Sequence, residues 1–139
     1  VMTGFNMINP SARHTVFPIL AEKDIGSLIM FAVRRALANP EALREIVSGL
    51  IAEGQVDGDI VSRNDPLGFI VDNGAAGSVI EAAYRFCRHE PGSHVVLTGT
   101  GSPAHLEDNL VSIQSGPLSA ETSQQLADMF GTVDSVTGN

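Results

Sequence analysis

The residues best suited to chemistry lie in VVLTGTGSPAHLEDN, residues 95–109. An apolar run leads into Gly99-Thr100-Gly101-Ser102, and Pro103 then opens a helical pattern. Glycine lets the backbone approach a ligand closely and adopt positive φ. Thr100 and Ser102 add hydroxyl groups. The start of a helix offers unpaired N–H groups and the positive end of a dipole. Together these features make a cradle for an anion such as phosphate. The spacing also fits G-x-G-x-x-A, one form of the dinucleotide fingerprint. The plain alternative is a strand-to-helix turn with Ser102 as an ordinary N-cap.

The dinucleotide fingerprint makes a second demand. About 20 residues past the glycines, a parallel strand should end in an acid that holds the ribose hydroxyls. Here that region reads SGPLSAETSQQ, a turn and a helix start, and no strand follows. A Rossmann site is therefore excluded. Walker A is excluded as well, because no Gly-Lys-Ser/Thr follows the loop.

Three short apolar runs predict strands: Val1–Phe5, Ser27–Val33 and His94–Thr98. Helical patterns alternate with them. Asn9-Pro10 and Asn39-Pro40 each read as an N-cap followed by Pro at the first helical position. Pro18 predicts a late start or a kink in the first helix. Leu43, Ile46, Val47, Leu50 and Ile51 recur at helical spacing, and Gly54 ends that helix. Residues 54–77, rich in Gly, Asp and Asn, predict a surface excursion. Ser78-x-x-Glu81 is a capping box for a helix with Ile80, Ala83, Tyr84 and Cys87 on its apolar face. Pro103 to about Ile113 predicts another helix, and Ser119 caps a last one that ends at Gly131. Residues 132–139 predict a polar tail, looped or frayed. Strands alternating with helices define an α/β chain with a parallel sheet and right-handed crossovers.

Composition narrows the function classes. The chain has 139 residues, 43% of them hydrophobic, which suffices for one domain with a largely aliphatic core. Its formal charge of −8 argues against nucleic-acid binding. It also argues against a polybasic membrane anchor. Cys87 is the one cysteine, so no internal disulfide forms, which fits a cytoplasmic setting. No signal peptide or apolar membrane span is visible. His14, His89 and His94 lack metal-ligand spacing and read as surface or capping residues. Asp57, Asp59, Asp65 and Asp72 read as turn chemistry. A strand at residue 1, and only three strands in all, suggest part of something longer. A full (β/α)8 barrel takes about 250 residues, and its phosphate site follows strands 7 and 8.

The stretch TGTGSPAHLEDN resembles the last strand, loop and helix of the aldo/keto reductases, as GSLIMFAVRRAL and VMTGFNMINP resemble the two preceding strands. The wording MFAVRRAL, AAYRFCRHEPG and FGTVDSVTGN is similar to the L-galactose dehydrogenase-like branch. The resemblance implies that residues 1–139 form the C-terminal portion of a TIM barrel, three β/α units and a final helix. It implies NAD(P) as cofactor. Phe31 would stack on the nicotinamide, and Ala32, Val33 and Arg34 would border the pyrophosphate, with Arg34 or Arg35 supplying charge. Gly99, Thr100, Gly101 and Ser102 would hold phosphates or ribose. His105, Asp108 and Asn109 would contact the adenosine. NADP-preferring members carry Lys in the loop and Arg on the helix, where this chain has Gly99 and His105, so NAD(H) is favoured. Met2 or Thr3 stands where many members have a Gln that holds the carboxamide.

The resemblance places the family's catalytic Asp, Tyr, Lys and His in the absent N-terminal half. Tyr84 sits mid-helix and Lys23 near a helix end, so neither is expected at a strand end. This chain alone is expected to hold cofactor-binding residues without proton-transfer machinery, and to be inactive. Its partner would be the missing barrel half or a second copy. The other reading is a self-contained α/β module that binds a phosphorylated ligand, or a non-catalytic partner subunit.

Overall fold

The computed structural model describes residues 1–136 and 138. Three strands form one parallel sheet: β1 (Met2–Gly4), β2 (Leu28–Met30) and β3 (Val95–Val96), in the order β1-β2-β3. Met2 pairs with Leu28 and Leu28 with Val95, so these three side chains share one sheet face. Thr3, Ile29 and Val96 share the other. Ile29 is fully buried, whereas Met2, Leu28 and Val95 are exposed. The sheet is therefore covered on one face only. Strands in monotonic order joined by crossovers of one hand put all their helices on the same side.

The strands are shorter than the apolar runs. Phe31 takes φ +66, and that left-handed turn ends β2 well before Val33. The first helical pattern divides into α1 (Ala12–Thr15) and α2 (Phe17–Glu22), with Pro18 in the first turn of α2. Asn9 is not an N-cap. Its Oδ1 accepts from the Ser11 N–H and hydroxyl, and its Nδ2 donates to the Val136 carbonyl. A short α3 (Arg35–Ala38) precedes α4 (Pro40–Ala52). Here the cap reading holds: Asn39 Oδ1 accepts from the N–H groups of Glu41 and Ala42.

Residues 54–77 are not a mere surface excursion. They bury Val56, Val61, Leu67, Ile70 and Ala76, and they form α5 (Phe69–Asp72). Their polar residues make the turns, as where Asp57 Oδ1 accepts from the Asp59 N–H. The apolar residues between those turns plug the core. The capping box forms at α6 (Val79–Arg88): Ser78 Oγ accepts from the Glu81 N–H, while the Glu81 carboxylate reaches back to the Gly77 N–H. Next come α7 (Pro103–Gln114) and α8 (Ala120–Phe130). The described part of the tail is looped but pinned. Val133 is fully buried, Ser135 Oγ donates to Gln55, and Ala36 N–H donates to the Gly138 carbonyl. Thr137 and Asn139 lie outside the described residues.

The core is aliphatic around a few rings. Phe5 stacks on Phe86 and meets Phe17 edge-on, both at 5.2 Å. Arg13 caps this cluster, with a bidentate pair to Glu90. Ser27 and His94 clamp the N-terminal ends of β2 and β3. His94 Nδ1 accepts from the Ser27 N–H, and the His94 N–H donates to Ser27 Oγ. Arg85 binds the carbonyls of Ala75, Gly116 and Pro117, tying α6 to the loops around it. Cys87 is fully buried and donates to the Phe5 carbonyl.

Two outcomes follow from this packing. Gly92 has φ +93, and a Cβ there would lie 2.8 Å from Phe17 Cβ. Gly92→Ala should destabilise the chain by more than ~2 kcal/mol, read as a lowered urea midpoint at unchanged m-value. Burial, and secondarily the Glu90 charge, pushes the Cys87 thiol far up. Above a pH of about 8.5 the unfolded chain ionises its thiol and the folded chain does not. Stability should therefore fall on the alkaline side, and less steeply in Cys87→Ala. A native-state thiol that reacts with Ellman's reagent as fast as free cysteine would contradict this picture.

Candidate functional site

The carboxyl ends of parallel strands are where α/β folds leave room for ligands. A cleft of about 610 Å³ opens there, between the segment after β3, the start of α6 and one side of α7. Of the residues singled out from sequence, it brings together Val33, Gly99, Thr100, His105, Asp108 and Asn109. Gly101 and Ser102 are on the same loop but do not line the cleft. Ala32 is 1% exposed, so its side chain belongs to the core and only its backbone could border a ligand. Phe31 and Arg34 form a separate pair that does not line the cleft.

The loop is built as its sequence suggests, with one difference. Ser102 is the N-cap of α7 and Pro103 its first residue, and Ser102 Oγ accepts from the His105 N–H at 3.4 Å. Thr100 Oγ1 accepts from the Ser102 N–H at 3.1 Å, which turns the chain toward the helix. That side-chain bond makes the turn without positive φ at Gly99 or Gly101, against the expectation for them. A Cβ on either glycine would meet nothing within 4 Å. Neither backbone conformation nor packing in this fold calls for glycine at these positions. Open space above a glycine loop is what close approach of a ligand uses.

The floor of the cleft is a polar chain that sequence reading missed. Asn109 Nδ2 donates to Thr98 Oγ1 at 2.8 Å, and the Tyr84 hydroxyl lies 2.8 Å from the same oxygen. Asn109 is the buried polar residue of α7 nearest the loop, and Tyr84 is 5% exposed. Tyr84 does sit on the apolar side of α6, but its hydroxyl reaches past the end of β3 into the cleft. The available signal was general: a buried tyrosine needs a partner for its O–H. Glu81, paired with Arg85, and Asp108 add two carboxylates to the lining, and among the described residues no Lys or Arg lines it.

Phe31 ends β2 with its ring against Gly4, whose added Cβ would lie 3.2 Å from the ring. Asn6, 2% exposed, holds the strained residue by donating Nδ2 to the Phe31 carbonyl at 3.1 Å. Its Oδ1 accepts from the N–H groups of Ile8 and Asn9. Asn6 therefore joins the ends of β1 and β2. The Arg34 guanidinium stacks over the Phe31 ring, 4.1 Å from its centre. Arg35 is exposed.

The other candidates sit elsewhere. His14 is exposed, His89 Nε2 contacts the Ser115 carbonyl, and His94 is in the Ser27 clamp. Among the described residues no cluster of His, Cys, Asp and Glu could hold a metal ion. Among them, too, no helix is long and apolar enough to cross a membrane. No protein-family model and no curated protein matches the chain.

The polar chain yields a graded prediction. Thr98→Val removes the shared oxygen and leaves both the Asn109 amide and the Tyr84 hydroxyl unpaired, so it should cost about 2–4 kcal/mol. Tyr84→Phe removes one group and its bond together and should cost about 1 kcal/mol. Urea unfolding of the two variants checks the order, and equal losses would sink the shared-acceptor account.

Proposed function

We propose that the chain is the cofactor-binding portion of an aldo/keto reductase-like oxidoreductase. Such an enzyme moves hydride between NAD(P) and a sugar or another small carbonyl or alcohol. The observation that carries this reading is the pair of glycines, Gly99 and Gly101, that the fold itself does not require, beside a cleft at the carboxyl end of β3. A dinucleotide would lay its adenosine in that cleft. Asn109 and Asp108 offer an amide and a carboxylate to the adenine edge and ribose hydroxyls, and His105 stands at the rim. The resemblance assigns the nicotinamide to Phe31, at the end of the middle strand.

Electrostatics supports NAD(H) over NADP(H). Glu81 in the lining is already paired with Arg85, so Asp108 is left to face a 2′-phosphate, and among the described residues no Lys or Arg lines the cleft to hold one. The sheet supports a barrel portion. Strand order without reversal, one covered face, and an opposite face carrying Met2, Leu28, Val95 and Leu97 suit strands that continue into a closed barrel. The partner is then the N-terminal portion of that barrel, which in this reading supplies the Tyr that handles the proton. The other reading, a self-contained binding module, draws on the pinned tail and continuous core. Light scattering separates the two: a stable monomer at high concentration favours the module.

Three results test the proposal. ADP-ribose should bind the chain by calorimetry, and NADH should bind more tightly than NADPH. Gly99→Ala should leave folding stability equal or raised by up to about 1 kcal/mol, while weakening ADP-ribose at least tenfold. Single-turnover mixing of the chain with NADH and an aldehyde should show no carbonyl reduction. Unchanged ADP-ribose affinity in Gly99→Ala would remove the loop from the site.

A further inference from the structure

We propose that Arg34 is a movable cover on Phe31, drawn off by a phosphate, so that the anion and the aromatic part of one ligand bind as a linked pair. The inference rests on the cofactor reading above and adds a specificity element to it. The face of the Phe31 ring beneath the guanidinium is taken, at 4.1 Å from ring centre to Cζ. A planar ligand ring cannot use that face while Arg34 lies on it.

One member of the pair is fixed and the other is not. Phe31 is mounted rigidly: its φ of +66 is held by the Asn6 bond to its carbonyl, and its ring abuts Gly4. Arg34 is half-buried and itself extended, with φ −121 and ψ 177. Ion pairs among the described residues are Arg13–Glu90 and Arg85–Glu81, so Arg34 has no carboxylate partner there. With no carboxylate of the described residues holding it, the guanidinium rests on the Phe31 ring. That attraction is modest, whereas a bidentate bond from guanidinium to phosphate is among the strongest a side chain makes. A phosphate arriving near the loop after β2 therefore wins Arg34 from the ring. Val33, the residue before it, already lines the cleft.

The arrangement discriminates between ligands. A ring without a phosphate must displace Arg34 unaided. A phosphate without a ring pulls Arg34 away and leaves the ring face bare. A ligand with both is favoured beyond the sum of its parts.

The test compares nicotinamide riboside, nicotinamide mononucleotide and inorganic pyrophosphate on the wild-type chain and on Arg34→Gln. Pyrophosphate should shift the Arg34 Nε–H resonance of the wild type downfield, as the guanidinium leaves the shielding zone above the ring. In Arg34→Gln the riboside should bind about threefold more tightly, because its ring face is free. The mononucleotide should bind about tenfold more weakly, because its phosphate has lost the guanidinium. Affinities that move in the same direction for both ligands overturn the proposal. So does an Arg34 resonance that stays in place at saturating mononucleotide; that result leaves the cofactor reading standing. If none of the three probes binds either protein, the cofactor reading falls and the cover falls with it.

Discussion

The structure depends on β2 being paired on both sides while only one of its faces is buried. Ile29 takes the core side of that strand, with Thr3 and Val96 beside it in register. Each flanking strand is two or three residues long and bonds to β2 alone. Two-sided pairing therefore sets the direction of the whole sheet. The carboxyl ends of all three strands then fall on one edge, where the left-handed Phe31 and the Thr98, Asn109 and Tyr84 hydrogen bonds lie. The other edge is held by the Ser27–His94 clamp.

At the carboxyl edge two asparagines do different work with the same side chain. Asn6 satisfies backbone groups from both the β1 and β2 loops and so fixes a left-handed Phe31. Asn109 links α7 to the end of β3 through Thr98, where Tyr84 of α6 also converges. Buried amides of this kind are costly unless satisfied. Once satisfied, they leave little freedom in where the loops sit. The glycine loop contrasts with both, since neither glycine has a positive φ and an added Cβ would meet no atom of the described residues within 4 Å.

Much of the layout was legible in the chain itself. The alternation of strands and helices, the Asn39 and Ser119 caps, the Ser78–Glu81 box and the Ser102-Pro103 helix start are local features, decided within a few residues by hydrogen-bond geometry. Local rules failed where a side chain is claimed from far away. Asn9 looks like a cap, but its amide nitrogen is held by Val136. Residues 54–77 look like surface, yet neighbours distant in sequence bury their apolar members. Phe31 looks like strand, but Asn6 holds it in a turn 25 residues away along the chain.

By itself the sequence determined the class of fold, the glycine loop at the end of the last strand, and the acidic character that argues against nucleic acid. Periodicity, capping and charge need no partner to be read. Tertiary structure alone decided that Tyr84, Thr98 and Asn109 share one cleft, that Arg34 lies on Phe31, and that the Ala32 side chain is buried in the core. Those are contacts between elements, and they exist only once burial of one sheet face has brought the helices onto it.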